Sequence, residues 1–200
     1  LFQLPAAGYD QVAFDALPAT CKVCNAFGHE NAIAEYVMSA LLSRHVPLAT
    51  ADAQLRAGAW NFWAGAGPKA LRTELGAQSI GIIGHGHIGQ AVADRAVAFG
   101  MAVHVANRSP VTSERYTAVY GLDELNNMLG AVDIVVNTLP LTPSTVSLIN
   151  GSAFTAMQRH CVFLNVGRGG VVDEDALYDA LADKKIAGAI IDTWYSYPTD

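Results

Sequence analysis

Charge is scarce in this chain, at 15% of its 200 residues, and cations are the rarer sign, with 12 lysines and arginines against 18 acidic residues. A net charge of −6 excludes a chain whose main task is gripping nucleic acid or an anionic membrane surface. A local cationic site for one phosphate stays compatible with it. Long apolar runs are also missing: no stretch of about 18 uncharged apolar residues occurs, so nothing is expected to span a membrane. The opening Leu1-Phe2-Gln3-Leu4-Pro5 has no basic segment before it and no initiating Met. No secretory leader is therefore expected there, and the first residues of a longer gene product are read as missing.

Cysteine is nearly absent. Cys21, Cys24 and Cys161 are too few for a disulfide framework in a chain of this length. Cys21-Lys22-Val23-Cys24 has CxxC spacing, but a zinc site needs such a pair twice, and a redox pair belongs where a strand enters a helix. No metal site is expected, and the reducing cytoplasm is the natural compartment. What the chain does have is apolar residues, 52% of the total, which excludes disorder and allows one cored domain plus a piece of another.

Residues 1–25 read as short apolar runs cut by turns: Phe2-Gln3-Leu4, then Pro5-Ala6-Ala7-Gly8, then Cys21 to Cys24. From His29 to Ser43 the spacing turns helical, with Ile33, Val37, Leu41 and Ala34, Met38, Leu42 recurring every fourth residue as a broad apolar face. Pro47 ends it. Residues 48–75 are predicted as an irregular arm of small and polar residues carrying Trp60, Phe62 and Trp63, ordered by packing on a second subunit. Beyond Leu75, strands are predicted at Ser79–Ile83, Ala102–Ala106, Val132–Val136 (interrupted by Asp133), Cys161–Val166 and Ala187–Ile191. Helices are predicted at Ile88–Phe99, Leu122–Leu129 and Glu174–Ala182. Strands apolar on both faces and separated by helices imply a parallel sheet covered on both sides, a Rossmann-type doubly wound α/β fold.

Gly84-His85-Gly86-His87-Ile88-Gly89 has the GxGxxG pattern, directly after a predicted strand and opening a predicted helix. In that context Gly84 allows the tight turn, Gly86 lets backbone approach a pyrophosphate and Gly89 lets helix and strand pack closely. The phosphates then meet free N–H groups at the helix start, where His87 and Ile88 lie. The second strand of such a unit usually ends in an acid, about 20 residues past the loop, that accepts from a ribose 2′-hydroxyl. Here Asn107-Arg108-Ser109 stands instead. Without the carboxylate nothing repels a 2′-phosphate, and Arg108 adds a planar donor, so NADP is the expected cofactor, with NAD possible.

Asn165-Val166-Gly167-Arg168-Gly169-Gly170-Val171-Val172-Asp173-Glu174, taken with the glycine loop, resembles the D-isomer-specific 2-hydroxyacid dehydrogenases. The similarity extends over nearly the whole chain. Pro5-Ala6-Ala7-Gly8-Tyr9-Asp10 looks like the family's substrate loop, Ala34-Glu35 lies in its interdomain helix, and Leu139-Pro140-Leu141-Thr142 matches its PLT turn. The resemblance implies that residues 1–25 are the remnant of a flavodoxin-like substrate domain. Residues 26–200 would then be the NAD(P)-binding domain, with its interdomain helix and a dimerisation arm. It makes Arg168 the residue that holds the substrate carboxylate, a role suited to a permanently charged planar donor. Backbone N–H groups of Ala7 and Gly8 would bind the same carboxylate. Asp192 would accept from the nicotinamide carboxamide. Leu139, Pro140, Thr145, Val166 and Gly167 would line the cofactor cleft, with Asn137 a weaker candidate.

The departures from the family pattern are specific. Its proton donor is a histidine paired with a carboxylate, which belongs five residues after Asp192, where this chain has Tyr197. A neutral tyrosine can hydrogen-bond a histidine without raising its pKa by charge. The histidine itself is expected beyond Asp200. Among those present, His87 stands where the family often has an arginine, and His29 falls where some members have a substrate-contacting asparagine. His104 is expected within a strand, and His45 and His160 at the surface. The resulting expectation is hydride transfer between NAD(P)H and a small 2-keto or 2-hydroxy acid, glyoxylate- or hydroxypyruvate-like, in a homodimer. The alternative is a catalytically impaired dinucleotide sensor of the same fold.

Overall fold

The computed structural model describes residues 1–63 and 74–197. Two short strands, β1 (Phe2–Gln3) and β2 (Val23–Cys24), pair in parallel as a layer of their own. Helix α1 (Glu30–His45) and helix α2 (Leu48–Arg56) follow. The remaining elements alternate: β3 (Ser79–Ile83), α3 (His87–Ala98), β4 (Ala102–Asn107), β5 (Ala118–Gly121), α4 (Leu125–Leu129), β6 (Ile134–Asn137), α5 (Gly151–Ala156), β7 (Val162–Asn165), α6 (Glu174–Ala182) and β8 (Gly188–Ile191). In space the six strands run β5-β4-β3-β6-β7-β8, all parallel. Strand order therefore reverses between β3 and β6, and in such sheets the crevice at the carboxyl ends of those strands is where ligands bind.

Period-2 alternation builds the sheet's two faces. Ile80, Ile82, Val103, Val105, Ile134, Val136 and Leu164 pack with Ala34, Val37, Met38 and Leu41 of α1 and Val92, Ala93 and Ala96 of α3. Ile83, Ala106, Val135 and Phe163 face the other way, onto Leu125, Met128, Leu129, Phe154, Leu177 and Ala180. Phe154 and Phe163 meet edge to face at 5.5 Å, and truncating either to Ala would cost about 3–5 kcal/mol.

Several boundaries differ from expectation, for local reasons. Part of the predicted arm is helix α2, an alanine-rich segment with an Arg56–Asp52 pair at 2.8 Å one turn apart. Residues 64–73 of that arm lie outside the described residues. β5 is a four-residue edge strand that is only partly buried, and α5 is a six-residue helix; both are too short to carry a periodic signal. Asn150 starts α5 by accepting from the N–H groups of Ser152 and Ala153 at 3.0 and 3.3 Å. The predicted Leu122–Leu129 helix divides into a 3-10 turn and α4. β6 is assigned from Ile134, one residue after Asp133, whose carboxylate accepts from the Ser79 N–H at 2.7 Å, the Ser79 hydroxyl at 2.6 Å and His160 Nε2 at 2.6 Å. That clasp ties the amino ends of the strands. Among the described residues, no helix is long and apolar enough to cross a membrane.

Candidate functional site

The sheet's register brings four strand ends level: Ile83 pairs with Ala106 and Asn137, and Asn137 with Asn165. The loops leaving them form one crevice. Gly84, with φ of 95°, makes the first turn, and a Cβ there would lie 2.9 Å from Thr138 Oγ1. The Thr138 hydroxyl donates to the carbonyls of Ile83 and Gly84 at 3.0 and 3.1 Å. A Cβ on Gly89 would overlap the Gly84 carbonyl oxygen, so glycine is what lets α3 start this close to β3. Gly86 is different, since nothing lies within 4 Å of where its Cβ would be. The open side of the loop is thus at Gly86, beside first-turn N–H groups that lack a helical acceptor.

Asn107 Oδ1 accepts the His85 N–H at 3.1 Å, and Asn107 Nδ2 donates to the Ser109 carbonyl at 2.9 Å. The end of β4 therefore braces the glycine loop and its own following turn. His85 Nε2 lies 2.7 Å from the Tyr116 hydroxyl, and burial lowers the His85 pKa against a smaller opposing effect of Asp94. Arg108 is exposed just beyond.

The opposite wall is built on two buried asparagines. Asn137 Oδ1 accepts the Leu139 N–H at 3.2 Å, while Asn165 Oδ1 accepts the Gly167 N–H at 3.2 Å. Gly167 has no room for a side chain, since its Cβ would fall 2.6 Å from the Leu139 carbonyl oxygen. Thr145 is buried, and its hydroxyl donates to the Pro140 carbonyl at 2.7 Å and accepts the Thr142 N–H at 2.8 Å, so it locks the PLT turn. Arg168 leaves this wall. Its Nη1 donates to the Gly167 carbonyl at 3.0 Å, and its Nε donates to Asp10 Oδ1 at 3.0 Å.

Residues 5–30 close the third side. Asn25 Nδ2 donates to the Ala7 carbonyl at 2.9 Å, and the Phe27 ring stacks on His87 at 4.5 Å. Glu30 lies 3.6 Å from His87 Nδ1 and accepts the Gly28 N–H at 2.8 Å. Its carboxyl is held below the ordinary value, first by its own N–H. Desolvation opposes this, while the Gly28 N–H and the charges of His87 and His29 support it.

One cavity collects Ala7, Gly8 and His29 from the cover, Gly86, His87, Ile88 and Gly89 from the glycine loop, and Leu139, Pro140, Val166, Gly167 and Arg168 from the far wall. A second hollow begins on the other side of Arg168, and Tyr197 stands there with Tyr9, Leu141 and Trp194. Tyr197 is 58% exposed, and its hydroxyl accepts the Trp194 N–H at 3.1 Å. Burial, and then the charges of Glu174 and Asp173, push the neighbouring Tyr195 hydroxyl up to about 12. Asp192 follows β8, its N–H donating to the Asn165 carbonyl at 3.0 Å. Its charge supports burial in raising the Tyr36 pKa. His104 is buried in β4, stacked on Tyr120, and burial lowers its pKa. His160 is at the surface, engaged by Asp133.

Asp10, Phe27, Glu30 and Asn165 are the site residues that sequence reasoning gave no role. Asp10 and Asn165 stood inside quoted motifs, but the contacts that define them reach across 158 and 28 positions.

A sequence profile of the D-isomer-specific 2-hydroxyacid dehydrogenase NAD-binding domain matches residues 38–200. The chain belongs to this family. It is 33% identical over 195 residues to a D-3-phosphoglycerate dehydrogenase of Mycobacterium leprae, covering 96% of this chain and 36% of that protein. It is 34% identical over 166 residues to a hydroxyphenylpyruvate reductase of Plectranthus scutellarioides, covering 83% of this chain and 51% of that one. The chain thus spans a third to a half of the length of these curated relatives. Among solved structures, a D-isomer-specific 2-hydroxyacid dehydrogenase from Xanthobacter autotrophicus Py2, in complex with NADPH and MES, superposes with a TM-score of 0.82 at 30% identity. That match covers 100% of this chain and 62% of the other. An NADPH-dependent glyoxylate/hydroxypyruvate reductase from Sinorhizobium meliloti gives a TM-score of 0.73 at 27% identity, covering 86% of this chain and 84% of its own. For this dehydrogenase family, the open Gly86 and the tight Gly84–Gly89 approach are the features a bound dinucleotide needs. The residues present fit an NAD(P) cofactor.

Proposed function

We propose that this chain supplies the cofactor half, and part of the substrate half, of an NAD(P)-dependent oxidoreductase acting on a small 2-keto or 2-hydroxy acid. The observation that carries the reading is Arg168, a guanidinium at the rim of the cavity that the glycine loop opens into, packed against Gly8 of the cover. In this reading Arg168 takes the acid's carboxylate, and the N–H groups of Ala7 and Gly8 complete its cradle. The same cation polarises the neighbouring carbonyl. The cofactor, when bound, supplies or receives the hydride at C2 of the acid. First-turn N–H groups of α3 hold its pyrophosphate, with His87 alongside. Asp192 accepts from its carboxamide, and Leu139, Pro140 and Val166 shut water out.

Arg108 and Ser109 favour a 2′-phosphate and hence NADP(H), and reduction of a glyoxylate- or hydroxypyruvate-like acid goes with it. Residues 1–25 belong in this reading to the substrate domain, and Tyr197 takes the place of the family's carboxylate. Two copies pair through α1 and the arm that bears the exposed Trp60 and Trp63; sedimentation of a monomer at micromolar concentration would remove that pairing. A second reading, dinucleotide sensing without turnover, draws on Tyr197, whose hydroxyl is engaged by the Trp194 N–H.

Fluorescence titration with NADPH and, separately, with NADH tests the cofactor reading. NADPH is expected to bind more tightly, with an advantage of about tenfold that vanishes in Arg108→Ala. Equal or tighter binding of NADH sinks the NADP preference.

A further inference from the structure

A guanidinium offers a carboxylate two bidentate edges, one made of Nε and Nη2 and the other of Nη1 and Nη2. In Arg168 the first edge is closed, because Nε already donates to Asp10 Oδ1 at 3.0 Å. The pair is only partly exposed, 37% for the arginine side chain and 24% for the aspartate, so water screens it incompletely. Nη1 is fixed at a second point by the Gly167 carbonyl at 3.0 Å. Gly8 lies close against the same group: a Cβ there would overlap Nη2, and would lie 2.8 Å from Cζ and 3.2 Å from Asp10 Oδ1.

We propose that Asp10 is a positioning residue for Arg168, holding the guanidinium by its Nε edge so that the Nη1–Nη2 end meets the acid's carboxylate. The inference rests on the reading of Arg168 as the acid's anchor. Asp10 lies in the cover and Arg168 in the loop after β7, so the bond also sets how the N-terminal loop sits on the crevice. Two effects of Asp10 oppose each other. Its negative charge weakens the attraction of Arg168 for an incoming anion. Its oxygen freezes a side chain that otherwise loses substantial rotamer freedom on binding. The geometry favours the second effect, because Nε and Nη1 are each held by a hydrogen bond and Nη2 packs on Gly8, so the side chain is fixed in one pose at the rim of the cavity.

The test titrates the NADPH-loaded protein with oxamate, an unreactive isostere of a 2-keto acid, and measures NADPH affinity beside it. Asp10→Ala is expected to weaken oxamate binding about tenfold, the loss of one charge-assisted bond, with NADPH binding unmoved. Asp10→Asn keeps an oxygen acceptor for Nε without the charge and is expected to bind oxamate within about twofold of wild type, or more tightly. Oxamate binding by Asp10→Ala as tight as wild type or tighter overturns the proposal and makes Asp10 a competitor of the acid. Should Asp10→Ala fail to fold, Asp10→Asn decides alone: a drop of about tenfold or more there means the charge, not the acceptor, matters, and overturns it too. Undiminished oxamate binding by Arg168→Ala is a separate result, which removes the anchor reading itself.

Discussion

Asn137 Nδ2 donates to Asn165 Oδ1 at 2.9 Å, between the ends of two neighbouring strands and with both side chains buried. Asn137 keeps its Oδ1 for its own loop, while Asn165 uses its Nδ2 and a second lone pair of its Oδ1. Asn137 holds the PLT turn through the Leu139 N–H, and Asn165 holds the arginine loop through the Gly167 N–H and the Arg168 carbonyl, the latter at 3.3 Å. One amide pair therefore sets the spacing between the two loops that form the far wall. Asn165→Ala strands the buried Asn137 amide and the Gly167 N–H, which predicts a loss of about 1–3 kcal/mol in stability. Dinucleotide binding should weaken with it. Urea unfolding and a cofactor titration on the same variant check both; a stable variant with full affinity contradicts the linkage.

Two glycines of one loop should behave in opposite ways. Gly86 has φ of −79° and open space where a Cβ would go, so Gly86→Ala is expected to fold with unchanged stability while obstructing the pyrophosphate. Affinity for either dinucleotide should drop about tenfold or more. Gly89→Ala instead drives a methyl into the Gly84 carbonyl, and overpacking of this kind costs about 1–3 kcal/mol before any ligand is added. Thermal melts of the two variants without cofactor would separate them, and equal melting points would contradict the assignment.

The clasp at the opposite ends of the strands makes stability depend on pH. Desolvation pushes the Asp133 carboxyl up, but the bonds from Ser79 and the bond and charge of His160 outweigh it, and its pKa falls below the ordinary 3.8. The folded value lies below the unfolded one, so this stabilisation is complete above about pH 4 and is lost as the pH falls through the folded value. Asp133→Asn should therefore destabilise the protein by about 1–3 kcal/mol at neutral pH, and by less in acid. A variant whose deficit is the same at pH 7 and at pH 3 would contradict this sign.

Thiol chemistry offers an independent check on the fold. Cys161 is buried beneath the sheet, and desolvation, helped by the charge of Asp133, pushes its thiol up to about 12. Thiolate is the reactive form, so Cys161 should resist a thiol reagent at pH 8 until the chain is denatured. The exposed Cys24 and the partly exposed Cys21 should react in the native protein. Rapid labelling of all three without denaturant would mean that the amino ends of the strands open readily.

The parallel sheet was legible because β3, β4, β6 and β7 are predominantly apolar, broken within only by Gly81 and His104, a pattern that needs no tertiary knowledge. The glycine loop was legible because backbone geometry demands glycine at Gly84 and Gly89. β5 escaped because a four-residue run ending in glycine is too short to stand out, and α2 because the glycines and tryptophans after it masked an alanine-rich segment. Asp10 and Asn165 were hidden for a deeper reason. A side chain's role in an ion pair or an amide pair depends on its partner, and sequence spacing carries no trace of a partner that the fold delivers from far along the chain.

The cover over the crevice is joined to the loops beneath it by Asp10 on Arg168 and by Phe27 on His87, and the chain then passes Gly28, whose φ of 111° turns it into α1 with no neighbour within 4 Å of where a Cβ would be. Both contacts lie where ligands are expected to enter. Anything seated in the crevice therefore lies beside the same side chains that hold the cover against the loops, so the cover's attachment and the lining of the crevice cannot be altered independently.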